Sequence, residues 1–196
     1  MRFSSIHFRA FVTTLAISFA CSASRAEESQ TTAAVPVKVG AKAPMFTLES
    51  LDGEKVELKK LMEKGPVVVA ALRGYPGYQC PACTRQVGDY VKRAKQFKEL
   101  GATVVFVYPG EAKELAKRAE EFLKQTELPS PLMLVIDPDH RFVTAAGLRW
   151  DAPNETAYPS TFIVNADGQV TFRKISKSHG ERAEAADVLK ALKKSS

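Results

Sequence analysis

Four short apolar runs punctuate the chain: Val67 to Leu72, Thr103 to Tyr108, Leu132 to Ile136 and Thr161 to Val164. Each is rich in β-branched or other large apolar residues and ends near Gly, Pro, Asp or Asn, the pattern of a strand buried on both faces. Between the first two runs, Val87, Val91, Ala94 and Phe97 recur at helical spacing and Gly101 supplies a stop, so a helix is expected over 81–100. A charged stretch over roughly 111–125 reads as a second helix, and Arg141 to Ala146 as a brief one ended by Gly147. Asn165-Ala166-Asp167-Gly168 turns the fourth strand into a fifth, Gln169 to Arg173. An amphipathic helix over roughly 181–193 closes the chain, with Val188, Leu189 and Leu192 facing the sheet. Ahead of all this, Val37 to Ser50 is extended. A turn at Leu51-Asp52-Gly53-Glu54 and the alternation at Val56 and Leu58 predict a hairpin arm, followed by one helical turn over Leu58 to Lys64. Two strand–helix–strand units, a hairpin and a closing helix predict an α/β protein with a mixed central sheet flanked by helices on both faces.

The first 26 residues follow a different rule. Arg2 and Arg9 precede an apolar core, Phe11 to Ala20, and small residues lead to Ser24-Arg25-Ala26. This is the layout of a secretory signal peptide, with a core too short to span a bilayer. The expected organisation is a leader at 1–26, a polar linker at 27–36 and one domain at 37–196. Cys21 leaves with the leader, since Ser18-Phe19-Ala20 ahead of it makes a poor lipobox; membrane contact is expected only for a lipoprotein signal. Removing Arg2, Arg9 and Arg25 lowers the formal net charge from +6 to +3. A mildly basic surface with lysines interleaved among glutamates is a solvated face, not a nucleic-acid binder.

The mature chain then keeps only Cys80 and Cys83, in Cys80-Pro81-Ala82-Cys83, where a loop off the first strand enters a helix. Pro81 suits the first helical turn, where its missing N–H had no partner to lose. Cys80 therefore falls at the cap, with the free N–H groups of Ala82 and Cys83 toward its sulfur. Those dipoles favour a thiolate and pull the thiol below the free-cysteine value of about 8.5. A drop of about two units is worth roughly 2.7 kcal/mol. Cys83, one turn along, is close enough to close a disulfide. A purely structural disulfide or half of a zinc site are the competing readings, but a tetrahedral zinc site wants a second ligand pair and no later cysteine supplies one.

Three further segments carry a resemblance. Val39 to Leu48 with Leu51-Asp52-Gly53 is similar to the start of redoxin and peroxiredoxin domains. Asp137-Pro138-Asp139 with Phe142 and Gly147-Leu148 resembles their middle, and Tyr158 to Val164 with Asp167-Gly168 their late hairpin. In this order around the CxxC pair, the chain from 37 to about 190 resembles the alkyl hydroperoxide reductase/thiol-specific antioxidant family, within the thioredoxin-like superfamily. The resemblance implies a thioredoxin-like fold and a thiol-based oxidoreductase that needs no further cofactor. Peroxiredoxins carry Pro-x-x-x-Thr-x-x-Cys with the last residue attacking peroxide. Here Pro76 and Cys83 hold the outer positions and Cys80 stands where the threonine would be. The family pattern thus implies Cys83 as attacker and Cys80 as its resolving partner, whereas the cap argument makes Cys80 the attacker.

The chain also departs from the family just before the late strand, where an arginine usually helps hold the peroxide and Pro159 stands instead. Tyr158-Pro159 resembles the cis-proline loop opposite a thioredoxin CxxC, which exposes backbone for an extended substrate. Arg73, at the end of the motif strand, is the better candidate for the missing charge; Arg149 reads as a surface residue. Pro76 and Tyr78 join Arg73, Tyr158 and Pro159 as candidate substrate contacts; Tyr75, Tyr78 and Trp150 read either as walls of the site or as cover for the sheet edge. His140 reads as a solvated loop residue, as does His179, with a lesser reading of His179 as a proton shuttle or copper ligand. The expected function is an exported thiol peroxidase acting through a Cys80–Cys83 disulfide, with a hydroperoxide or disulfide substrate and an external dithiol as reductant. A protein disulfide reductase and a copper-delivery module are the rival readings.

Overall fold

The computed structural model describes Met1, residues 36–124 and residues 126–195. The leader and most of the linker expected at 1–36 lie outside the described residues. Every element below belongs to the compact unit Thr32–Ser196. Seven strands form one sheet: β1 (Thr47–Ser50), β2 (Lys55–Glu57), β3 (Val67–Ala71), β4 (Thr103–Gly110), β5 (Leu132–Pro138), β6 (Ser160–Val164) and β7 (Val170–Ile175), in the spatial order β2-β1-β5-β4-β3-β6-β7. The pairs β3–β4 and β4–β5 are parallel and the other neighbours antiparallel. The sheet is mixed, with the parallel strands at its centre.

Alternation along the central strands sends successive side chains to opposite faces, and both are covered. Val68 and Ala70 of β3, with Leu72 just past it, join Val104, Phe106 and Tyr108 in a core roofed by α2 (Pro81–Lys92), α3 (Ala94–Glu99), α4 (Leu115–Leu123) and α6 (Ala185–Ser195). Val67, Val69 and Ala71 join Val105, Val107 and Phe162 on the other face, under α1 (Leu58–Met62), α5 (Arg141–Ala145) and the entry segment around Val37 and Phe46. Val188, Leu189 and Leu192 are buried against the sheet as their spacing predicts. No helix among the described residues is long and apolar enough to cross a membrane.

Three helix boundaries differ from the sequence expectation, each for a local reason. The expected 81–100 helix breaks at Arg93 (φ −114°, ψ 13°), so that Phe97 on α3 stacks on Tyr90 of α2 with ring centroids 5.4 Å apart. α4 begins only at Leu115, because Pro109 and Gly110 continue β4 by pairing with Asp137 and Pro138, and Glu114 is left-handed at φ 62°. α6 begins at Ala185, not near 181. Its first N–H groups are met from another helix, where the Asp89 carboxylate accepts from Ala185 N at 2.7 Å.

Asp137, next to last in β5, reaches forward to the first turn of α5. Fully buried, its carboxylate accepts from the backbone N–H groups of Phe142 (2.8 Å) and Val143 (3.0 Å). An N-terminal cap of this kind is worth about 1 kcal/mol, and up to ~2 where burial leaves the orphaned donors dry. Asp137→Ala is expected to cost about 2 kcal/mol, read as a lower urea midpoint with an unchanged m-value.

Candidate active site

The C-terminal end of β3 delivers the chain into the loop 72–79, which turns back to start α2. Gly74 makes this possible. It sits at φ +69°, and a Cβ there would lie 1.9 Å from the Pro109 carbonyl oxygen. Only glycine combines that backbone angle with that approach. Tyr75 N–H donates to the same Pro109 carbonyl at 3.1 Å, which pins the loop to β4. Closer to the thiols, Tyr108 Oη donates to Gln79 Oε1 (2.8 Å) and Gln79 Nε2 donates to the Arg118 carbonyl (2.8 Å). The residue immediately before Cys80 is therefore held by β4 and α4 together.

Cys80 is the N-cap of α2, in extended conformation, with Pro81 in the first turn; its Sγ accepts from Cys83 N at 3.4 Å. The sequence expectation holds for the helix start but not for exposure. Cys80 is only 3% exposed and Cys83 is fully enclosed, both as free thiols. Both belong to the apolar core cluster, and Arg182, from the segment between β7 and α6, lays its guanidinium against the Cys80 sulfur with Nη2 3.6 Å from Sγ. Gln86, a buried residue one turn beyond Cys83, accepts from Arg182 Nη1 at 2.8 Å and holds the guanidinium in place.

These neighbours separate the two thiols. A hydrogen bond from the Cys83 thiol, the backbone N–H groups of Cys83 and Ala82, and the Arg182 charge outweigh burial and lower Cys80 to about 5. Burial, then its hydrogen bond to Cys80, push Cys83 well above the ordinary thiol range. The pair thus divides into one thiolate and one thiol at neutral pH, the arrangement expected of an attacker and a resolver.

The acidity of Cys80 carries a stability consequence. Its folded pKa lies near 5 and the ordinary value is 9.0, so between these the unfolded chain binds more protons. The contribution of this group is complete above about pH 9, diminishes below it, and is lost as pH falls through 5. Reduced protein is expected to gain urea resistance between pH 5.5 and 8, and Cys80→Ser to remove that part of the slope.

Around the thiols the candidate contacts are placed as follows. Arg73, 1% exposed, commits its Nε to Glu155 Oε2 (2.6 Å) and its Nη2 to the Asn154 carbonyl (2.5 Å), and its guanidinium lies 4.8 Å over the Tyr78 ring. The charge on the sulfur comes from Arg182, not from Arg73. Tyr78 is largely exposed and Pro76 half-buried; Tyr75 lies under the Arg118 guanidinium at 5.0 Å. Trp150 stacks on Tyr158 with centroids 4.6 Å apart.

The Tyr158–Pro159 bond is trans, which corrects the cis-proline expectation; the cis bond of the described chain is Ser130–Pro131. The Tyr158 carbonyl accepts from Ser160 Oγ at 2.7 Å and the Pro159 carbonyl from Ser176 N at 2.8 Å, so the backbone here is already paired within the fold. Arg149 spends Nη1 on the carbonyls of Trp150, Glu155 and Thr156, a structural tie across its loop. His140 is not solvated as expected: it is half-buried, left-handed at φ 60°, with Nε2 enclosed. His179 meets Glu155 Oε1 at 2.8 Å, away from the thiols. Among the described residues no three His, Cys, Asp or Glu side chains gather as a metal-ligand group.

Arg182, Gln86, Gln79 and Glu155 were missed by sequence reasoning. Gln79 adjoins the motif and Gln86 lies one helical turn past Cys83, so proximity to the CxxC was a usable signal for both. Arg182, at the polar start of the expected closing helix, and Glu155, in a polar run, lie about 100 and 75 positions from Cys80 in the chain, and nothing local marks them.

Comparison with known proteins adds a family. The model of the AhpC/TSA family matches residues 39–173. The chain is 29% identical over 133 residues to the thiol-disulfide oxidoreductase ResA of Halalkalibacterium halodurans, covering 68% of this chain and 66% of that protein. It is 30% identical over 136 residues to a chloroplastic peroxiredoxin Q of Oryza sativa subsp. japonica, covering 69% and 58%. Each match thus spans less than two thirds of the relative's length. Among solved structures, peroxidoxin BcpB from Mycobacterium tuberculosis superposes with a TM-score of 0.64 at 24% identity, covering 81% of this chain and 97% of that one. A peroxiredoxin-like protein from Aquifex aeolicus gives 0.67 at 15% identity, covering 83% and 90%.

Proposed function

Because the chain belongs to the AhpC/TSA family, whose relatives here are oxidoreductases by name, we propose that it is a thiol peroxidase in which Cys80 attacks a hydroperoxide and Cys83 resolves the product. One observation carries this reading: the Cys80 sulfur faces the N–H of Cys83 at 3.4 Å and the Arg182 guanidinium at 3.6 Å. A thiolate held this way attacks the O–O bond, taking one oxygen to become a sulfenic acid while the departing alkoxide or hydroxide takes a proton from water. The Cys83 thiol then condenses with the sulfenic acid, releasing water and leaving a Cys80–Cys83 disulfide. An external dithiol returns the pair to its reduced form through a mixed disulfide and is itself oxidised. Arg182 has a second use in the first step, since its N–H groups suit the charge that develops on the leaving oxygen.

Access supports a hydroperoxide as the electrophile. A sulfur 3% exposed, with a guanidinium across it, admits a small hydroperoxide more readily than a folded protein disulfide. The trans Tyr158–Pro159 bond and the occupied carbonyls beside it leave no free backbone edge there for pairing with an extended polypeptide. The sequence pattern at 1–26 supports an exported protein, with the catalytic domain at 37–196.

A disulfide reductase is the second reading, favoured by the attacker's position at the helix cap. Two assays divide them. Stopped-flow oxidation by hydrogen peroxide is expected to outpace a free thiol by at least about a hundredfold, and insulin reduction to be slow. Peroxide rates no better than free cysteine, with rapid insulin turnover, would reverse the assignment.

A further inference from the structure

The segment that carries Arg182 has little to hold it except polar ties. Residues 177–181 are exposed, and the first enclosed side chain after Ser176 is Ala183. Ala183, next in the chain, is enclosed and its carbonyl accepts from Tyr90 Oη at 3.3 Å, so the core anchors the backbone beside Arg182 but not the reach of its side chain. Its guanidinium is instead fixed by two acceptors. Gln86 Oε1 takes Nη1 at 2.8 Å, and the backbone carbonyl of His179 takes Nε at 3.0 Å, which leaves Nη2 directed at the Cys80 sulfur.

His179 is in turn clasped from outside the segment. Its Nε2 meets Glu155 Oε1 at 2.8 Å and its ring lies 5.4 Å from the Trp150 ring. Glu155 is a firm anchor, because its other oxygen is bound to the buried Arg73 at the end of β3. An unbroken series of contacts thus runs from Arg73 through Glu155 and His179 to Arg182 and ends on Cys80, seven positions after it began. We propose that His179 is a positioning residue: by gripping Glu155 with its ring and Arg182 with its carbonyl, it holds the guanidinium on the reactive sulfur. The imidazole touches neither thiol and transfers no proton. Its contribution reaches the chemistry through Arg182.

Cys83, Arg182 and Tyr108 face Cys80, Glu155 faces His179 with Arg73 behind it, Arg85 and Glu184 line the same hollow as His179 and Arg182, and Asp89 meets Arg93 and the start of α6. Glu181 adjoins Arg182 but is exposed. The inference rests on Cys80 as the attacking thiolate, so its test must separate the two ideas.

The test is the pH dependence of iodoacetamide labelling at Cys80 in the full reduced chain, resolved by peptide mass spectrometry. The midpoint is the readout, because the plateau rate itself rises as a thiol becomes more basic. Arg182→Ala is expected to raise the midpoint by about one unit, the lower end for loss of an adjacent opposite charge. His179→Ala is expected to raise it by about half a unit, roughly a twofold loss of thiolate at pH 5. His179→Gln, whose amide can still donate to Glu155, is expected to restore the parent value. In the Arg182→Ala background, His179→Ala is expected to add nothing, since the residue acts only through the guanidinium. Thermal unfolding of each variant fixes a temperature at which all are folded. A midpoint indifferent to His179→Ala, an equal shift with and without Arg182, or no rescue by glutamine overturns the clasp while leaving Cys80 as attacker. A parent midpoint in the ordinary thiol range overturns both.

Discussion

Cys80→Ser is expected to reduce peroxide turnover to the rate seen without protein, a loss of roughly three orders of magnitude or more. A serine hydroxyl in the same place would accept the same N–H and face the same guanidinium, yet it stays protonated where the thiol ionises near 5. Under the proposed mechanism the reaction uses charge at the helix start, not geometry alone. The contrast with Cys83→Ser gives the prediction its discriminating power. That variant keeps the attacking sulfur and its Arg182 contact, and loses only the group that resolves the product. It is expected to consume about one equivalent of peroxide and stop, with a sulfenic acid trapped on Cys80 by dimedone and located by mass spectrometry. The reverse pattern, a sulfenic acid on Cys83 in the Cys80→Ser protein, would assign attack to Cys83 as the peroxiredoxin spacing from Pro76 implies.

Glu155→Ala is expected to destabilise the fold by about 3–5 kcal/mol. The loss does not measure the attraction between two charges. Arg73 is 1% exposed, so removing the carboxylate leaves a buried guanidinium without its counter-charge. Burial works against the charge on Glu155 too, but hydrogen bonds from Arg73 and His179 outweigh it and hold this carboxyl below its usual range. Glu155→Gln keeps one acceptor for Arg73 and is expected to cost about half as much. Arg73→Met with Glu155→Leu removes both charges together and is expected to recover most of the stability, because the unpaired guanidinium is what costs. Urea denaturation of the three variants checks the order. An alanine variant within 1 kcal/mol of the parent would show that water reaches Arg73.

What the sequence made legible follows from the range over which its signals act. Apolar runs at 67–72, 103–108, 132–136 and 161–164 declare themselves because burial on both faces demands continuous hydrophobicity, and all four lie in the central strands. The CxxC at a helix start was equally plain, since Pro81 and the run after it are local. The site beyond the two sulfurs was not. Arg73 was placed at the end of its strand, but its partner Glu155 lies 82 positions away. Arg182 was absorbed into a closing helix that starts later, because the Asp89 carboxylate that caps Ala185 comes from α2 and leaves no mark near residue 182. The trans Tyr158–Pro159 bond shows the same limit. A dipeptide carries the capacity for either isomer, and the surrounding fold selects one.

Complete enclosure of Cys83 bears on survival when oxidant is in excess. Under the proposed mechanism the sulfenic acid at Cys80 either condenses with its neighbour or meets a second peroxide and passes irreversibly to the sulfinic state. Cys83 already donates a hydrogen bond to that sulfur from one turn away, so condensation needs no large unfolding and competes as an intramolecular step. Its own sulfur, sealed from solvent, is spared direct attack, which confines irreversible oxidation of this pair to the Cys80 sulfur.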